Sequence, residues 1–184
     1  MKIAITGKMC SGKSTLANYI CSIDNRYQIF SFGKKVKDVA YDLFKMDPEI
    51  KDRTLLTSIG TKMREIDPDI WTKYIIHQTK DSEHCIIDDL RYQNEYEYLI
   101  KNDFKIIQLI ITPEIQEERI KQIYPNNFQD HLDNRNHISE KNEFHWTENH
   151  MPDLIIDTSF SVQKIQNIIN DFIKKETIQQ DKKD

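Results

Sequence analysis

The stretch GKMCSGKST at residues 7–15 follows the apolar run MKIAIT at residues 1–6. It meets the pattern G-x-x-x-x-G-K-S at Gly7, Gly12, Lys13 and Ser14. When a buried strand precedes such a loop and a helix follows it, backbone N–H groups and the helix N-terminus can hold phosphate oxygens. A chance pair of glycines is the competing explanation, but the chain has only four glycines and two stand here. The stretch, called the phosphate loop below, therefore predicts a nucleotide-binding α/β fold.

The residues of the phosphate loop are expected to contact a bound ATP molecule in specific ways. Lys13 is expected to reach the β- and γ-phosphates, and the Ser14 hydroxyl is expected to ligate Mg²⁺. The predicted ATP-binding residues of the loop are Gly7, Lys8, Met9, Cys10, Ser11, Gly12, Lys13, Ser14 and Thr15.

A carboxylate at the end of a second strand is expected to complete the magnesium shell. The apolar run CII at residues 85–87 ends in Asp88 and Asp89. Either carboxylate could accept a hydrogen bond from a metal-bound water. A solvated acidic turn is the alternative, but the strand and the phosphate loop support each other. The pair therefore predicts a magnesium site with Ser14, Asp88 and Asp89 as its candidate residues.

Size and composition limit the classes of protein that this chain can represent. Its 184 residues fit one domain, and the net charge of −4 argues against duplex nucleic acid as the main partner. The longest apolar run, near residues 106–111, is far shorter than a membrane span. Cys10, Cys21 and Cys85 are odd in number and widely spaced, as in a reducing compartment. With no signal-peptide pattern at residues 1–6, we expect a cytoplasmic protein.

Short apolar runs alternate with helical patterns along the chain, which predicts a parallel sheet covered by helices. The predicted strands are residues 2–6, 29–31, 84–88, 105–111 and 153–156. The predicted helices are residues 13–23, 36–45, 53–66, 69–79, 94–101, 113–124 and 162–173. Together they predict a three-layer P-loop NTPase fold over residues 1–175, with a lid at about 112–150. Residues 176–184 are expected to form a polar, disordered tail.

Three fates of the phosphoryl group compete. A guanine-specific switch would need an Asn-Lys-x-Asp run, which the sequence lacks, and Asp88 is not followed by x-x-Gly. A mechanical or regulatory ATPase is typical of larger assemblies, and no feature of the sequence favours one. Phosphoryl transfer to a small molecule remains the preferred interpretation.

The acceptor chemistry follows from the residues after the second predicted strand. A hydroxyl acceptor needs a general base, but SFGKK at residues 31–35 holds no carboxylate. A phosphate monoester has a second pKa of about 6, so it needs cations rather than a base. Lys37, Arg64 and Arg91 are the candidate cations, and arginine donates to phosphate in a bidentate manner. Taken alone, each of these residues is as consistent with an ordinary surface charge as with a phosphate-binding role.

Four segments resemble the phage-type deoxynucleoside monophosphate kinases, within the P-loop nucleoside monophosphate kinase group. They are SFGKKVKD at 31–38; LLTSIGT at 55–61 with Arg64 and DIW at 69–71; IIDDLRYQNE at 86–95; and HISE at 137–140. The third segment matches a D-x-R-x-x-x-E pattern at Asp89, Arg91 and Glu95. Ser14 departs from the Asp that phage members often carry, and some segments are shared with phosphomevalonate-type kinases.

The resemblance implies roles for the residues that match it. Arg64 and Arg91 would hold the acceptor phosphate, with Lys37 and Asp38 near the acceptor. Trp71 and Glu95 would shape the acceptor pocket, although core packing is the stronger single role for Trp71. His137 and Glu140 would border the site as it closes. The predicted catalytic residues are Lys13, Asp89, Arg91 and Arg119.

The predicted lid supplies a further candidate cation. Arg119 could act on the transferring phosphoryl group as an internal arginine finger, or form an ordinary surface pair with glutamate neighbours one helical turn away. The lid histidines at 131, 137, 145 and 150 match no usual zinc spacing. The loop that begins at Asp157 is expected to pass the adenine of ATP, as it does in related folds.

The sequence and the resemblance together favour ATP- and Mg²⁺-dependent phosphorylation of a (deoxy)nucleoside monophosphate to the diphosphate. One alternative is a P-loop kinase for another small acceptor, such as a dephospho-coenzyme A or phosphomevalonate-like enzyme. Another is a slow nucleotide-binding regulatory module. Expected partners are small molecules, without nucleic acid or membrane, and the family implies a homodimer.

Overall fold

The computed structural model describes residues 1–47, 52–133, 135, 144 and 151–180. The strands in these ranges are β1 (Lys2–Gly7), β2 (Gln28–Phe30), β3 (Cys85–Leu90), β4 (Phe104–Ile110) and β5 (Leu154–Asp157). The helices are α1 (Lys13–Ile23), α2 (Phe32–Phe44), α3 (Arg53–Ile66), α4 (Ile70–Thr79), α5 (Gln93–Lys101), α6 (Pro113–Ile123), α7 (Phe128–Asp133) and α8 (Val162–Gln180).

The five strands form one parallel sheet in the order β2-β3-β1-β4-β5. β1 is central, with Ala4 opposite Ile87 of β3 and Ile106 of β4. β2 and β3 lie on one side of β1, and β4 and β5 lie on the other, so the strand order reverses at β1. Crevices at such reversals, beyond the carboxyl ends of the strands, are where open α/β sheets bind ligands. The phosphate loop lies at this position because it directly follows β1.

Helices cover both faces of the sheet, because alternate residues of β1 point to opposite sides. Ile3 and Ile5 pack with α1 and α8, in a core that includes Leu16, Ile20, Ile169 and Phe172. Ala4 packs on the other face with α2 to α5, in a core that includes Phe32, Ala40, Ile59, Trp71, Ile75, Tyr96 and Leu99. The predicted three-layer P-loop fold, with a parallel sheet between two helical layers, is thus confirmed.

Local sequence signals explain where two of the helices begin. The Asp52 carboxylate accepts a hydrogen bond from the backbone N–H of Leu55 at 2.9 Å, at the start of α3. Thr112 accepts from Ile115 N–H at the start of α6, where Pro113 is the first helical residue. Both are ordinary N-cap arrangements, and the second matches the predicted start of that helix.

The last helix extends beyond its predicted end at Ile173 and runs to Gln180. Glu176 is buried, and its carboxylate lies 2.9 Å from Lys105 Nζ, which also contacts Asp153 at 2.9 Å. This contact ties the helix to β4, so residues 176–180 of the predicted disordered tail are helical. Residues 181–184 lie outside the described residues.

No helix within the described ranges combines the length and apolar character that a bilayer crossing requires.

We expect a chain that ends at Lys175 to lose about 1 kcal/mol of unfolding free energy, because it lacks Glu176 and its contact with Lys105. Urea denaturation followed by circular dichroism measures the difference. A chain that ends at Gln180 is the matched control and should unfold like the full-length protein. Identical midpoints for all three chains would contradict a structural role for the end of α8.

Candidate active site

The phosphate loop takes its shape from two glycines. A Cβ at Gly7 would lie 2.7 Å from the Leu109 carbonyl oxygen and 2.6 Å from Ser11 Oγ, and the Gly7 φ of 150° disfavours other residues. Gly12 has a φ of 95° and no atom within 4 Å of a Cβ placed there. Cys10 also has a positive φ, of 60°. These backbone angles turn the loop tightly between β1 and α1.

The interior of the loop suits a phosphate group. Lys13 is only 8% exposed, and its ammonium group donates to the carbonyls of Gly7 at 2.7 Å and Lys8 at 2.8 Å. The buried Ser11 hydroxyl has no hydrogen-bond partner within the described part of the chain. A buried ammonium group, an unpartnered hydroxyl and open space at Gly12 fit the oxygens of a phosphate.

Ser14 and Asp88 form a pair that fits magnesium. Ser14 Oγ, near the start of α1, donates to Asp88 Oδ2, in β3, at 2.7 Å. Burial raises the pKa of Asp88, and the neighbouring Asp89 charge raises it further. No cluster of three or more His, Cys, Asp or Glu residues suited to a metal occurs among the described residues. Mg²⁺ needs none, since it commonly keeps waters and uses one or two protein oxygens plus substrate phosphates.

Asp89 has a different position from the one that the sequence predicted. Its Oδ2 accepts from Ser31 Oγ at 2.7 Å and Gly33 N–H at 2.8 Å, and its Oδ1 accepts from Phe32 N–H at 2.9 Å. The carboxylate therefore satisfies the first backbone donors of α2, as an N-cap side chain does. The structure assigns Asp89 to holding α2 against β3, and this differs from the predicted catalytic and magnesium-binding roles.

This contact also explains why α2 begins earlier than predicted. The helix starts at Phe32 rather than at residue 36, since Asp89 is distant in sequence and supplies the missing cap. A Cβ at Gly33 would lie 3.2 Å from Asp89 Oδ2, so the position favours glycine.

Glu95 connects the two arginines that were predicted to hold the acceptor. Its Oε1 accepts from Arg64 Nη2 at 3.0 Å, and its Oε2 accepts from the backbone N–H groups of Arg91 at 3.0 Å and Tyr92 at 3.1 Å. Arg64 also lies over the Tyr92 ring, 4.0 Å from its centroid. Glu95 therefore positions the Arg64 side chain and the Arg91 backbone, rather than presenting a free carboxylate to a ligand.

The environment of Glu95 perturbs its titration. The side chain is only 2% exposed, and burial raises the pKa of Glu95 to about 7, although Arg64 and the backbone donors oppose this shift. The Glu95 carboxyl therefore gains or loses its proton near neutral pH, and its ion pair with Arg64 is present only when the carboxyl is ionised.

Of the other residues predicted on the acceptor side, the structure places Trp71 and Lys37 at the cleft. Trp71 is 3% exposed, lies in the core and donates from Nε1 to the Gly60 carbonyl at 3.2 Å, yet it also borders the cleft. Lys37 is half-buried and lines the cleft, whereas Asp38 is not among its lining residues. His137 and Glu140 lie outside the described residues.

Arg119 is anchored to backbone rather than to its glutamate neighbours. Its Nη2 donates to the Thr158 carbonyl at 2.6 Å, and its Nη1 donates to the Cys10 carbonyl at 3.2 Å. The side chain thus joins α6 to the phosphate loop and to the segment after β5. This geometry differs from the predicted arginine finger, because its described partners are backbone carbonyls and the Thr158 hydroxyl.

The segment after β5, which includes the loop predicted to pass the adenine, also contributes Phe160, a residue that the sequence did not indicate. Asp157 Oδ1 accepts from Ser159 N–H at 2.8 Å, which lowers the pKa of Asp157 and makes it a turn residue. Thr158 and Phe160, rather than Asp157, line the cleft. An aromatic residue shortly after a strand end was the available signal for Phe160.

The predicted lid contacts the phosphate loop at Met9. Gln116 Nε2 donates to the Met9 carbonyl at 3.0 Å, and His131 Nδ1 lies 3.5 Å from the Met9 sulfur. The buried His131 ring stacks on Tyr124 with centroids 3.7 Å apart. The remaining lid histidines that we considered for zinc, at 137, 145 and 150, lie outside the described residues.

A cleft of about 820 Å³ brings these parts together. The cleft is lined by the phosphate loop from Met9 to Thr15 and by Arg119 and Thr158. Its further lining includes the cations Lys37, Arg53, Arg64 and Arg91, of which Arg53 contacts the phosphate loop at Met9. The sequence did not single out Arg53, because no motif contains it.

A family model described as an AAA domain matches residues 3–130, which is more than half of the chain. A search of curated proteins found no match. Among solved structures, the chain is similar to a sugar kinase from Janibacter sp. HTCC2649, with 11% identity, a TM-score of 0.59 and coverage of 94% of both chains. It is also similar to an APS kinase from Mycobacterium tuberculosis in complex with AMPPNP and APS, with 12% identity, a TM-score of 0.53 and coverage of 94% and 97%.

A shikimate kinase from Acinetobacter baumannii in complex with shikimate is similar too, with 12% identity, a TM-score of 0.53 and coverage of 95% and 93%. At these identities the likeness concerns the fold. The phosphate loop, the sheet order and the family match agree with one another. The chain therefore belongs to the AAA domain family and has the α/β fold of P-loop kinases.

Proposed function

We propose that the protein transfers the γ-phosphoryl group of ATP, with Mg²⁺, to the phosphate of a (deoxy)nucleoside monophosphate. The observation that carries this proposal is that one cleft is lined both by the phosphate loop and by Lys37, Arg64 and Arg91. A triphosphate at the loop and an anionic acceptor at these cations would place the two reacting groups in the same cavity.

The state of the carboxylates favours a phosphate acceptor over a hydroxyl acceptor. Among the described residues that line the cleft, the carboxylates are Asp88, Asp89 and Glu95. Asp88 accepts from Ser14, Asp89 from the start of α2, and Glu95 from Arg64. A hydroxyl acceptor would need a general base, whereas a phosphate acceptor is already anionic at neutral pH.

Catalysis by this site would consist of positioning and charge neutralisation. Lys13 would bind the β- and γ-phosphate oxygens, and Ser14 and Asp88 would hold Mg²⁺, which neutralises phosphate charge when bound. Arg64 and Arg91 would hold the acceptor phosphate. Because Glu95 accepts from the side chain of Arg64, this cation is oriented before the acceptor arrives, and the backbone contact of Glu95 fixes the start of the segment that carries Arg91.

An acceptor panel tests the proposal. ADP release from ATP is measured with each nucleoside monophosphate, dephospho-coenzyme A, phosphomevalonate, sugars and shikimate. We expect stimulation by one or two nucleoside monophosphates and loss of about 100-fold or more in turnover for Lys13→Ala. Lys62→Ala, an exposed pair partner of Glu65, is the matched control. Stimulation by a sugar or shikimate alone, or no acceptor-dependent release, would refute the nucleotide acceptor.

Asp88→Asn and Asp89→Asn should have different consequences, although the two residues are adjacent. Asp88→Asn should raise the Mg²⁺ concentration for half-maximal activity by about tenfold, because it removes a charged partner of the metal shell. Asp89→Asn should lower the unfolding free energy by about 1–2 kcal/mol, since it weakens the cap of α2. Magnesium titrations and urea denaturation of both variants separate the roles. A stronger magnesium effect in Asp89→Asn would reverse our assignment.

The Michaelis constant for the acceptor should depend on the protonation of Glu95. Since the pKa of Glu95 is about 7 in the folded protein, its carboxyl gains a proton as the pH falls through that value. The ion pair with Arg64 is then lost, and the acceptor KM should rise on the acidic side. Glu95→Gln should show a KM raised by about tenfold at pH 8 and a flatter pH profile.

The acceptor phosphate titrates in the same range, so profiles of the wild type and Glu95→Gln are compared with the same acceptor. Any change due to the ligand is common to both proteins. Superimposable profiles would show that Glu95 does not position Arg64.

A further inference from the structure

Arg53, the first residue of α3, has an unusual environment in the cleft. Its Nη2 lies 3.5 Å from the Met9 sulfur, in the phosphate loop. Its Nε is buried and has no hydrogen-bond partner among the described residues. A guanidinium group has five N–H donors, and a thioether sulfur is a weak acceptor for one of them. The hydrogen-bonding capacity of Arg53 is therefore largely unused in the structure.

Other arginines of the cleft are bound in the ordinary way. Arg64 donates to the Glu95 carboxylate, and Arg119 donates to the carbonyls of Cys10 and Thr158. Burying a charged donor without strong acceptors costs free energy. Such a donor is therefore expected where a bound ligand supplies the acceptors. Phosphate oxygens have the charge and the geometry that a guanidinium fork matches.

The position of Arg53 places it beside the phosphate loop. Met9 belongs to the phosphate loop. In this loop the Lys13 ammonium group donates to the carbonyls of Gly7 and Lys8. Arg53 thus contacts the loop at the residue next to those that bind Lys13. The predicted acceptor cations differ in their partners, because Glu95 accepts from the Arg64 side chain and from the Arg91 backbone.

We propose that Arg53 binds the γ-phosphoryl group of ATP, in the role that the sequence had suggested for Arg119. This inference rests on the ATP site of the proposed function. During transfer, the bond from the γ-phosphorus to the bridging oxygen of ADP breaks, and a bond to an acceptor phosphate oxygen forms. Arg53 keeps its proton throughout and neutralises charge on the non-bridging oxygens of the transferred group.

Nucleotide affinity tests this role without turnover. Isothermal titration calorimetry with Mg²⁺ compares AMPPNP, which has a γ-phosphoryl group, with ADP, which has none. Arg53→Ala should weaken AMPPNP binding by about tenfold or more and change ADP binding by less than about twofold. Arg53→Lys should recover part of the AMPPNP affinity, because it retains the charge but not the planar fork.

Arg26→Ala is the matched control, because Arg26 is exposed and pairs with Asp24 outside the cleft. It should leave both affinities unchanged, and thermal melting confirms that each variant is folded. Equal weakening of AMPPNP and ADP, or no change in either, would overturn the inference. So would a rise in acceptor KM with unchanged AMPPNP affinity, since Arg53 would then serve the acceptor.

The failure of this inference is distinguishable from failure of the proposed function. If no monophosphate stimulates ADP release by the wild type, the acceptor assignment fails. A selective loss of AMPPNP affinity in Arg53→Ala would still support the contact with the γ-phosphoryl group.

Discussion

The site depends on how closely the chain passes itself at Gly7. A side chain there would meet the Leu109 carbonyl oxygen at 2.7 Å, so only glycine lets the end of β1 turn beside β4. Because β1 is the central strand, this turn falls where the strand order reverses and the crevice opens. Lys13 can then fold its ammonium group over the Gly7 and Lys8 carbonyls. The close approach thus fixes the place of the loop and of its principal cation.

Much of the fold could be predicted from the sequence, because local patterns determine it. The loop motif, the apolar strands and the Thr112–Pro113 start of α6 depend on neighbouring residues, and they agree with the structure. The start of α2 could not be predicted, since its cap is Asp89, on another strand. The end of α8 likewise depends on a contact between Glu176 and Lys105, which sequence periodicity does not reveal.

In the site, too, features set by neighbouring residues could be predicted, whereas features set by contacts distant in sequence could not. The phosphate loop residues and the Ser14–Asp88 pair follow from motif and spacing. The sequence could not separate Asp88 from Asp89, because adjacent strand residues point to opposite faces and only the fold shows which face holds α2. Arg53 and Phe160 belong to no motif, and only their placement beside the cleft indicates a role. Arg119, the predicted arginine finger, donates to the carbonyls of Cys10 and Thr158, contacts that the sequence pattern did not indicate.

The buried Glu95 and the half-buried Asp89 serve to place a cation and a helix. Glu95 holds Arg64, and Asp89 holds the start of α2, the helix that carries Lys37. Burying these carboxylates is unfavourable unless they are paired, and their partners are the elements that border the cleft. Arg64 and the helix that carries Lys37 are therefore placed by the folded protein rather than by the ligand, which lowers the reorganisation needed when phosphates bind. Arg53 lacks such a carboxylate among the described residues, so a ligand phosphate is the partner that would complete this arrangement.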